Sequence, residues 1–402
     1  MAWLSSTVAA LGVFGSLIWL VHLIHLGRHR RDVVELADVP DREPEGGWPS
    51  LAVIVAARDE AGSIEAAIRS LLVQDYPGLR VIAVDDRSAD ATGPILDALA
   101  AESDRLTVVH VRDLPDGWLG KTNALQMGAD ATDARWILFT DADVVFAPGA
   151  LRKSIAYAES ERADHVCAIP EVLSDTSAER VFLAMFGLLF SMHARPGKIA
   201  DFSSRANAGV GAFNLIRAES FRAIGGFRHL ALSVDDDIRL ARALKYGGYA
   251  ARLVLGRRAV AVRWQVGLGG MIRGLEKNFF AGMFYSLPRA LGAGAAVVIL
   301  GIAPHAGLFV GPIWTRAVCG IGVASIVLAL AGTKRGSGIG GVYGLILPVG
   351  AVAVLVALVR SVVLTLARGG VIWRGHLYPL AALRAHVRLR EAWTREVWRS
   401  TR

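Results

Sequence analysis

The chain has 402 residues, 53% of them hydrophobic, with a mean hydropathy of +0.42 and a formal net charge of +8. That is too apolar for an ordinary soluble protein, yet the middle of the chain carries too many charges for a pure transporter. The basic excess raises nucleic acid as a partner. The cationic residues, however, flank apolar runs: "GRHRR" at 27–31, "TKR" at 333–335, and Arg384, Arg388, Arg390, Arg395, Arg399 and Arg402. That placement marks cytoplasmic membrane edges, so no nucleic acid is expected as a partner. Cys167 and Cys319 lie far apart and suggest neither a disulfide framework nor a metal site.

Residues 1–31 read as an N-terminal transmembrane anchor. The run 3–26 carries no Asp, Glu, Lys or Arg and is long enough to span a bilayer. Its basic cluster follows the run rather than preceding it, which places that end in the cytoplasm and argues against a cleaved signal. His22 and His25 read as snorkelling residues rather than ligands. Residues 32–49, polar and proline-bearing, read as a linker. From 50 to 260 the short runs "SLAVIVAA", "LRVIAVDD", "LTVVHV" and "RWILFTDAD" alternate with helical stretches. This alternation predicts an α/β domain with a parallel sheet, helices on both faces and ligands at the carboxyl ends of the strands.

Residues 261–290, with 178–198, read as amphipathic helices lying in the membrane surface, and Lys277 with Arg263 supplies positive charge there. A core helix is the competing reading for 181–192. Residues 291–368 hold three further apolar runs, at about 291–313, 316–332 and 341–367, and 369–402 read as a basic cytoplasmic tail. Four full crossings would put that tail outside, against the distribution of arginines. Either one run is re-entrant, with the segment around Pro304 the candidate, or the last run, broken by Arg360, is not a single span.

The chemistry concentrates at the strand ends. The first ends in Ala56-Ala57-Arg58-Asp59-Glu60, the second in Asp85-Asp86 and the fourth in Asp141-Ala142-Asp143. Carboxylates converging on one sheet edge repel each other and call for a counter-charge, most simply a divalent cation carrying phosphate oxygens. With one spacer residue, Asp141 and Asp143 point to the same side of an extended chain, so one or both reach the metal. In "GWLGKTNAL", Lys121 stands where a helix can start and suits a phosphate or a sugar hydroxyl. In "SVDDDIRLARALKYGGY", Asp235 or Asp236 can cap the following helix. Three adjacent acids exceed what capping needs, and their crowding raises the pKa of one, as a general base requires.

The ordered motifs "VIVAARDE", "VDDRSAD", "GWLGKTNAL", "FTDADVVF", "GAFNLIRAESFRAIGGF" and "DDDIRLARALKYGGY" resemble the family 2 glycosyltransferases. Within these, the chain looks most like the membrane-bound group that glycosylates lipids such as ceramide, carotenoid and hopanoid-associated acceptors. The resemblance implies a GT-A nucleotide-diphospho-sugar-binding fold with flanking transmembrane helices, an inverting hexosyl transfer, Mg2+ or Mn2+ as cofactor, and a nucleotide-diphospho-sugar donor, UDP-sugar favoured. It implies donor contacts from Ala57, Arg58, Glu60, Asp86, Lys121 and Asp141, with Asp86 on the nucleotide base, and metal contacts from Asp143 and Asp141. The family's acidic pair falls on Asp236-Asp237, which makes Asp237 the expected general base, with the register open by one. Of the Gln-x-x-Arg-Trp motif of processive synthases and glucosylceramide enzymes only Arg263 and Trp264 are present; Val260 replaces the glutamine. A single transfer to a lipid acceptor in the bilayer, at the cytoplasmic face of a bacterial-type inner membrane, is therefore expected ahead of polymerisation. The alternatives are a polyprenyl-phosphate sugar synthase, a processive polysaccharide synthase, and a non-catalytic membrane subunit that binds a nucleotide-sugar.

Overall fold

Buried β-branched runs set the strands of the computed structural model, which describes residues 2–29, 32–332 and 339–400. "TKR" at 333–335, Arg30, Arg31 and Arg402 lie outside the described residues. The chain divides into two units. One comprises Val33–Val172, Lys198–Arg263 and Ala381–Arg402; the other Met1–Asp32, Leu173–Gly197 and Trp264–Leu380.

The first unit is built on an eight-stranded sheet in the order β1-β10-β7-β9-β5-β2-β3-β4. The strands that frame the site are β2 (Leu51–Ala57), β3 (Leu79–Asp86), β4 (Leu106–Val111) and β5 (Trp136–Asp141), all parallel. β7 (His165–Ile169) and β10 (Ala251–Leu255) continue the same direction. Helices cover both faces, giving one apolar cluster around Val53, Ile68, Leu138 and Ile155 and another around Ile54, Leu125, Phe139, Phe221 and Leu240. Burial of such branched side chains is what stabilises the sheet, at roughly 1.5–3 kcal/mol for each one fully removed from water.

Three features depart from the sequence reading. The sheet is mixed, because β9 (Asn214–Arg217) runs antiparallel between β5 and β7. The chain reaches β9 from the loop at the carboxyl edge of the sheet and must therefore run back across it. The expected linker is not free of structure: β1 (Val34–Glu35) pairs with β10 at the sheet edge, held by an ion pair between Glu35 and Arg257. The expected basic tail is a hairpin, Gly370–Trp373 with His376–Pro379, followed by a helix, Leu380–Ser400, whose residues from Ala381 onward belong to the sheet-bearing unit. Its spacing is amphipathic: Leu383, Arg390 and Thr394 are buried, while Arg384, Arg388, Arg395 and Arg399 face water.

Among the described residues of the second unit, four helices are long and apolar enough to cross a membrane: Trp3–Arg28, Leu287–Ala306, Ile313–Ala331 and Leu347–Ala367. The first packs along Ile313–Ala331 through small residues; a Cβ on Gly12 would come within 2.9 Å of Cys319 Sγ. Leu287–Ala306 contains a π-helical segment at Val298–Ile302 just before Pro304. Proline has no N–H for the carbonyl four residues back, that of Leu300. Trp19 Nε1 donates to that carbonyl at 2.8 Å, satisfying a group that would be costly to leave unpaired in an apolar setting. The last run is a continuous helix from Leu347 to Ala367 despite Arg360, whose charge is met by Glu276 at 3.0 Å. His22 does not snorkel: it is buried, with Nε2 2.9 Å from Ser191 Oγ. The helix Ser177–Ala194 buries Val181 through Met185 and Leu188, with Met185 against Gly301 and Gly350. It follows the core-helix reading over the interfacial one, because glycines on its partners let its bulky face approach.

Candidate active site

β5 explains how the acids are placed. Trp136 to Thr140 are buried and Asp141, its last residue, is partly exposed, so the carboxylates begin where the sheet edge opens. The chain does not stay extended. It turns at Ala142-Asp143 before the short strand Val144–Phe146, and Asp141 and Asp143 are neighbours across a turn rather than along a strand.

Lys121, the second residue of the helix Gly120–Asp130, reaches Asp141 Oδ1 at 2.7 Å and Asp236 Oδ2 at 3.7 Å. Burial alone would lower its pKa; Asp141, Asp236 and Asp237 overcome that and hold the ammonium charged. Lys121, Asp141, Asp236 and Asp237 close around a narrow cavity with Thr140, Gly211 and Asn214. Asp237 lies in the first turn of the helix Asp236–Tyr246. Burial first, and then the adjacent Asp236, push its carboxyl up to about 7, while Lys121 opposes the shift. Asp143 is raised to about 7 as well, by burial and then by Asp141 and Glu60.

The triple aspartate is divided by its partners. Asp235 occupies the N-cap position of the helix without making a capping bond; its carboxylate is paired with Arg239 at 2.6 Å and Arg390 at 3.8 Å. Against the effect of burial, those arginines hold its pKa below the usual carboxylate range. Only Asp236 and Asp237 line the cavity.

The other expected donor residues surround the same edge. Ala57 ends β2, paired with Asp85 on β3. The loops that follow are laced together: the Asp59 N–H donates to Ser88, the Glu60 N–H to Thr92 and the Ala61 N–H to Asp90. Asp86 is 3% exposed, and its carboxylate is bound by Arg87 at 2.8 Å and approached by Arg58 at 3.7 Å. Arg263 ends the sheet-bearing unit, whereas Trp264 and Lys277 belong to the helical one. There Trp264 packs on Phe186 with ring centroids 5.3 Å apart, and Lys277 lies over the Trp373 ring at 3.5 Å.

Sequence reasoning missed the loop preceding β9. A Cβ on Gly211 would stand 2.5 Å from Asp141 Oδ2, and one on Gly209 would overlap the Asp237 carbonyl oxygen. These glycines let the loop backbone lie directly against both acids, and the pattern "AGVGAF" is the signal that carried it. Gly211→Ala is expected to displace the Asp141 carboxylate and lower kcat/KM for the donor by about tenfold, a cost typical of small misplacements. Steady-state kinetics with an unchanged melting temperature would bear this out; wild-type kinetics would remove Gly211 from the site.

Carboxylate oxygens are the ligand type a hard divalent cation takes. Burial first, and then the nearby Asp141 and Glu60, raise the pKa of Asp143. Among the described residues, no three His, Cys, Asp or Glu side chains are arranged to hold an ion by themselves.

A mixed sheet with acids at the carboxyl edge, a lysine at a helix start and a β-strand returning antiparallel beside them is the GT-A nucleotide-sugar transferase fold. A mannosyltransferase from Pyrobaculum calidifontis, solved with GDP-Man and Mn2+, shares that fold: TM-score 0.54 at 18% identity, covering 89% of this chain and 99% of the other. Residues 52–225 match the family model Glycosyl transferase family 2. The chain's relatives include the succinoglycan biosynthesis protein ExoO of Rhizobium meliloti, 35% identical over 116 residues, 29% of this chain and 30% of the relative. Another is the beta-monoglucosyldiacylglycerol synthase of Trichormus variabilis, 30% identical over 169 residues, 41% of this chain and 36% of the relative. The chain spans about a third of the length of these curated relatives.

Proposed function

We propose that the chain moves one sugar from a nucleotide-diphosphate sugar, UDP-sugar favoured, to a hydroxyl of a membrane lipid, with inversion at the anomeric carbon. The observation that carries this reading is the cavity at the sheet edge, where Asp237, with its raised proton affinity, faces Lys121, Asp141 and Asp236. Asp237 accepts the proton of the acceptor hydroxyl as that oxygen attacks. Its pKa near the working pH is matched to that task. Lys121 holds the acids in place and offers its charge to the diphosphate, aided by the start of its helix. Asp143, with Asp141 and Glu60, would hold Mg2+ or Mn2+. When bound, that cation supplies Lewis-acid stabilisation of the departing diphosphate. Asp86, with Ala57 and Arg58, is assigned to the nucleotide; Arg263, Trp264 and Lys277 are assigned to the lipid acceptor.

Four apolar helices and the lipid product in the name of one relative support a membrane acceptor. We place the protein in a bacterial-type inner membrane with the sheet-bearing unit on the cytoplasmic side. The chain leaves that unit at Arg263 and rejoins it at Ala381. With both ends of the intervening segment on one side, this reading takes an even number of the three apolar helices described there as crossing the membrane, in keeping with a cytoplasmic basic C-terminus.

The test is to incubate membranes containing the protein with a panel of labelled nucleotide-sugars and follow the label. Transfer from one donor into an organic-extractable lipid bearing a single sugar is expected. Label in long water-soluble polymer would replace the reading with a processive synthase. Donor binding without any transfer would make the chain a non-catalytic subunit.

A further inference from the structure

The C-terminal helix Leu380–Ser400 lies against the helix that carries the acids. Glu391 accepts from Arg242 through both carboxylate oxygens at 2.9 Å, and Trp398 packs on Tyr246 with ring centroids 4.7 Å apart. Between those two, Trp393 stacks on His229 at 4.4 Å, and nearer the helix start His386 lies 3.4 Å from Ser233 Oγ. Between these contacts Arg390, 3% exposed, donates to Ser233 Oγ at 3.0 Å and stands 3.8 Å from Asp235. A buried arginine is costly unless its partners are well placed. Here they include Ser233 and Asp235, which lead into Asp236 and Asp237, beside Glu391 on its own helix at 3.5 Å.

We propose that Arg390 is a positioning residue for the reaction: it fixes Ser233 and Asp235, and through them the direction in which Asp236 and Asp237 enter the cavity. This rests on the reading of Asp237 as the base. The physical reason is electrostatic as well as steric. Three adjacent carboxylates would repel and splay; Arg390 and Arg239 draw the first away from the cavity, and Lys121 holds the second. Asp237 is then left to face the acceptor. The segment that reads in sequence as a solvated basic tail thus divides its arginines between two tasks. Arg384, Arg388, Arg395 and Arg399 face water, and Arg390 faces inward.

The experiment compares the full-length wild type with Arg390→Met, Arg390→Lys and, as a charge-matched control on the same helix, Arg395→Gln. Lipid-transfer kinetics and hydrogen exchange over residues 233–240 are read on each. Arg390→Met is expected to lower kcat roughly 10- to 100-fold, the scale of a misplaced catalytic group, while donor KM stays within about threefold. Exchange over 233–240 should accelerate while that of β5 stays unchanged. Arg390→Lys should restore part of kcat, and Arg395→Gln should behave as wild type. Wild-type kcat in Arg390→Met, or no gain in Arg390→Lys over Arg390→Met, would overturn the proposal. A wild type that binds donor but transfers nothing would defeat the transferase reading instead. The exchange measurement still decides the clamp in that event: equal protection of 233–240 in wild type and Arg390→Met overturns it.

Discussion

Replacing Asp237 with asparagine is expected to reduce sugar transfer by roughly 10²- to 10⁴-fold, the usual worth of a positioned general base. Asparagine keeps the size and one acceptor oxygen of the side chain, so the bond from the Ile238 N–H to Asp237 Oδ1 at 2.8 Å can persist and the helix entry survives. What is lost is the capacity to take a proton. Donor affinity should change by only a few-fold, because Lys121 and Asp141 remain in place. Titrating nucleotide-sugar binding beside the rate measurement separates the two effects. A variant that turns over at the wild-type rate would remove Asp237 from the chemistry. A variant of Asp236 is expected to fail differently, since its carboxylate answers Lys121 at 3.7 Å and its loss should weaken donor binding along with kcat.

The second large effect is expected at Asp143. Its carboxyl is driven up to about 7 by burial and by its acidic neighbours, an arrangement that costs the folded protein free energy unless a cation offsets it. Asp143→Ala removes that repulsion together with the oxygen ligand. The variant should melt no lower than wild type, yet lose about 10²-fold or more in kcat/KM, the scale on which removing a metal-supporting residue acts. Stabilisation of the wild type by Mn2+ or Mg2+ in a melting experiment with donor present should vanish in the variant. The linkage gain grows as RT ln(1 + [L]/Kd), so the difference is read directly from the concentration dependence. Full metal-dependent stabilisation of Asp143→Ala would move the ion elsewhere.

Much of the site was legible because its signals are local. An apolar run that stops at "DAD" announces a strand reaching an open edge, and the structure places the change from buried Thr140 to partly exposed Asp141 there. Lys121 at a helix start was readable from "GWLGK" in the same way. The three consecutive aspartates were not separable in sequence, since each has the same chemistry and only its partners differ. Those partners, Lys121, Arg239 and Arg390, come from three different helices, two of them remote in the chain. The antiparallel β9 was illegible for a related reason: strand direction depends on which edge of the sheet the preceding loop has reached. The edge strand at Val34–Glu35 was hidden by its shortness, two residues of a polar segment that only the pairing with β10 makes a strand. The C-terminal helix was the largest omission. Its arginines look alike in sequence, and burial alone distinguishes Arg390 from its neighbours.

The most direct test of the account is kcat for transfer measured against pH with wild-type protein at saturating donor. The base must be deprotonated to act, and its carboxyl is raised to about 7, so activity should be absent in acid and rise through pH about 7 to a plateau. Asp237→Asn should lower the plateau by roughly 10²- to 10⁴-fold, leaving in its residual rate only the pH dependence that Asp143 contributes. A wild-type kcat that stays flat from roughly pH 5 to 9, where a base of this kind must titrate, would contradict the assignment of the chemistry to Asp237.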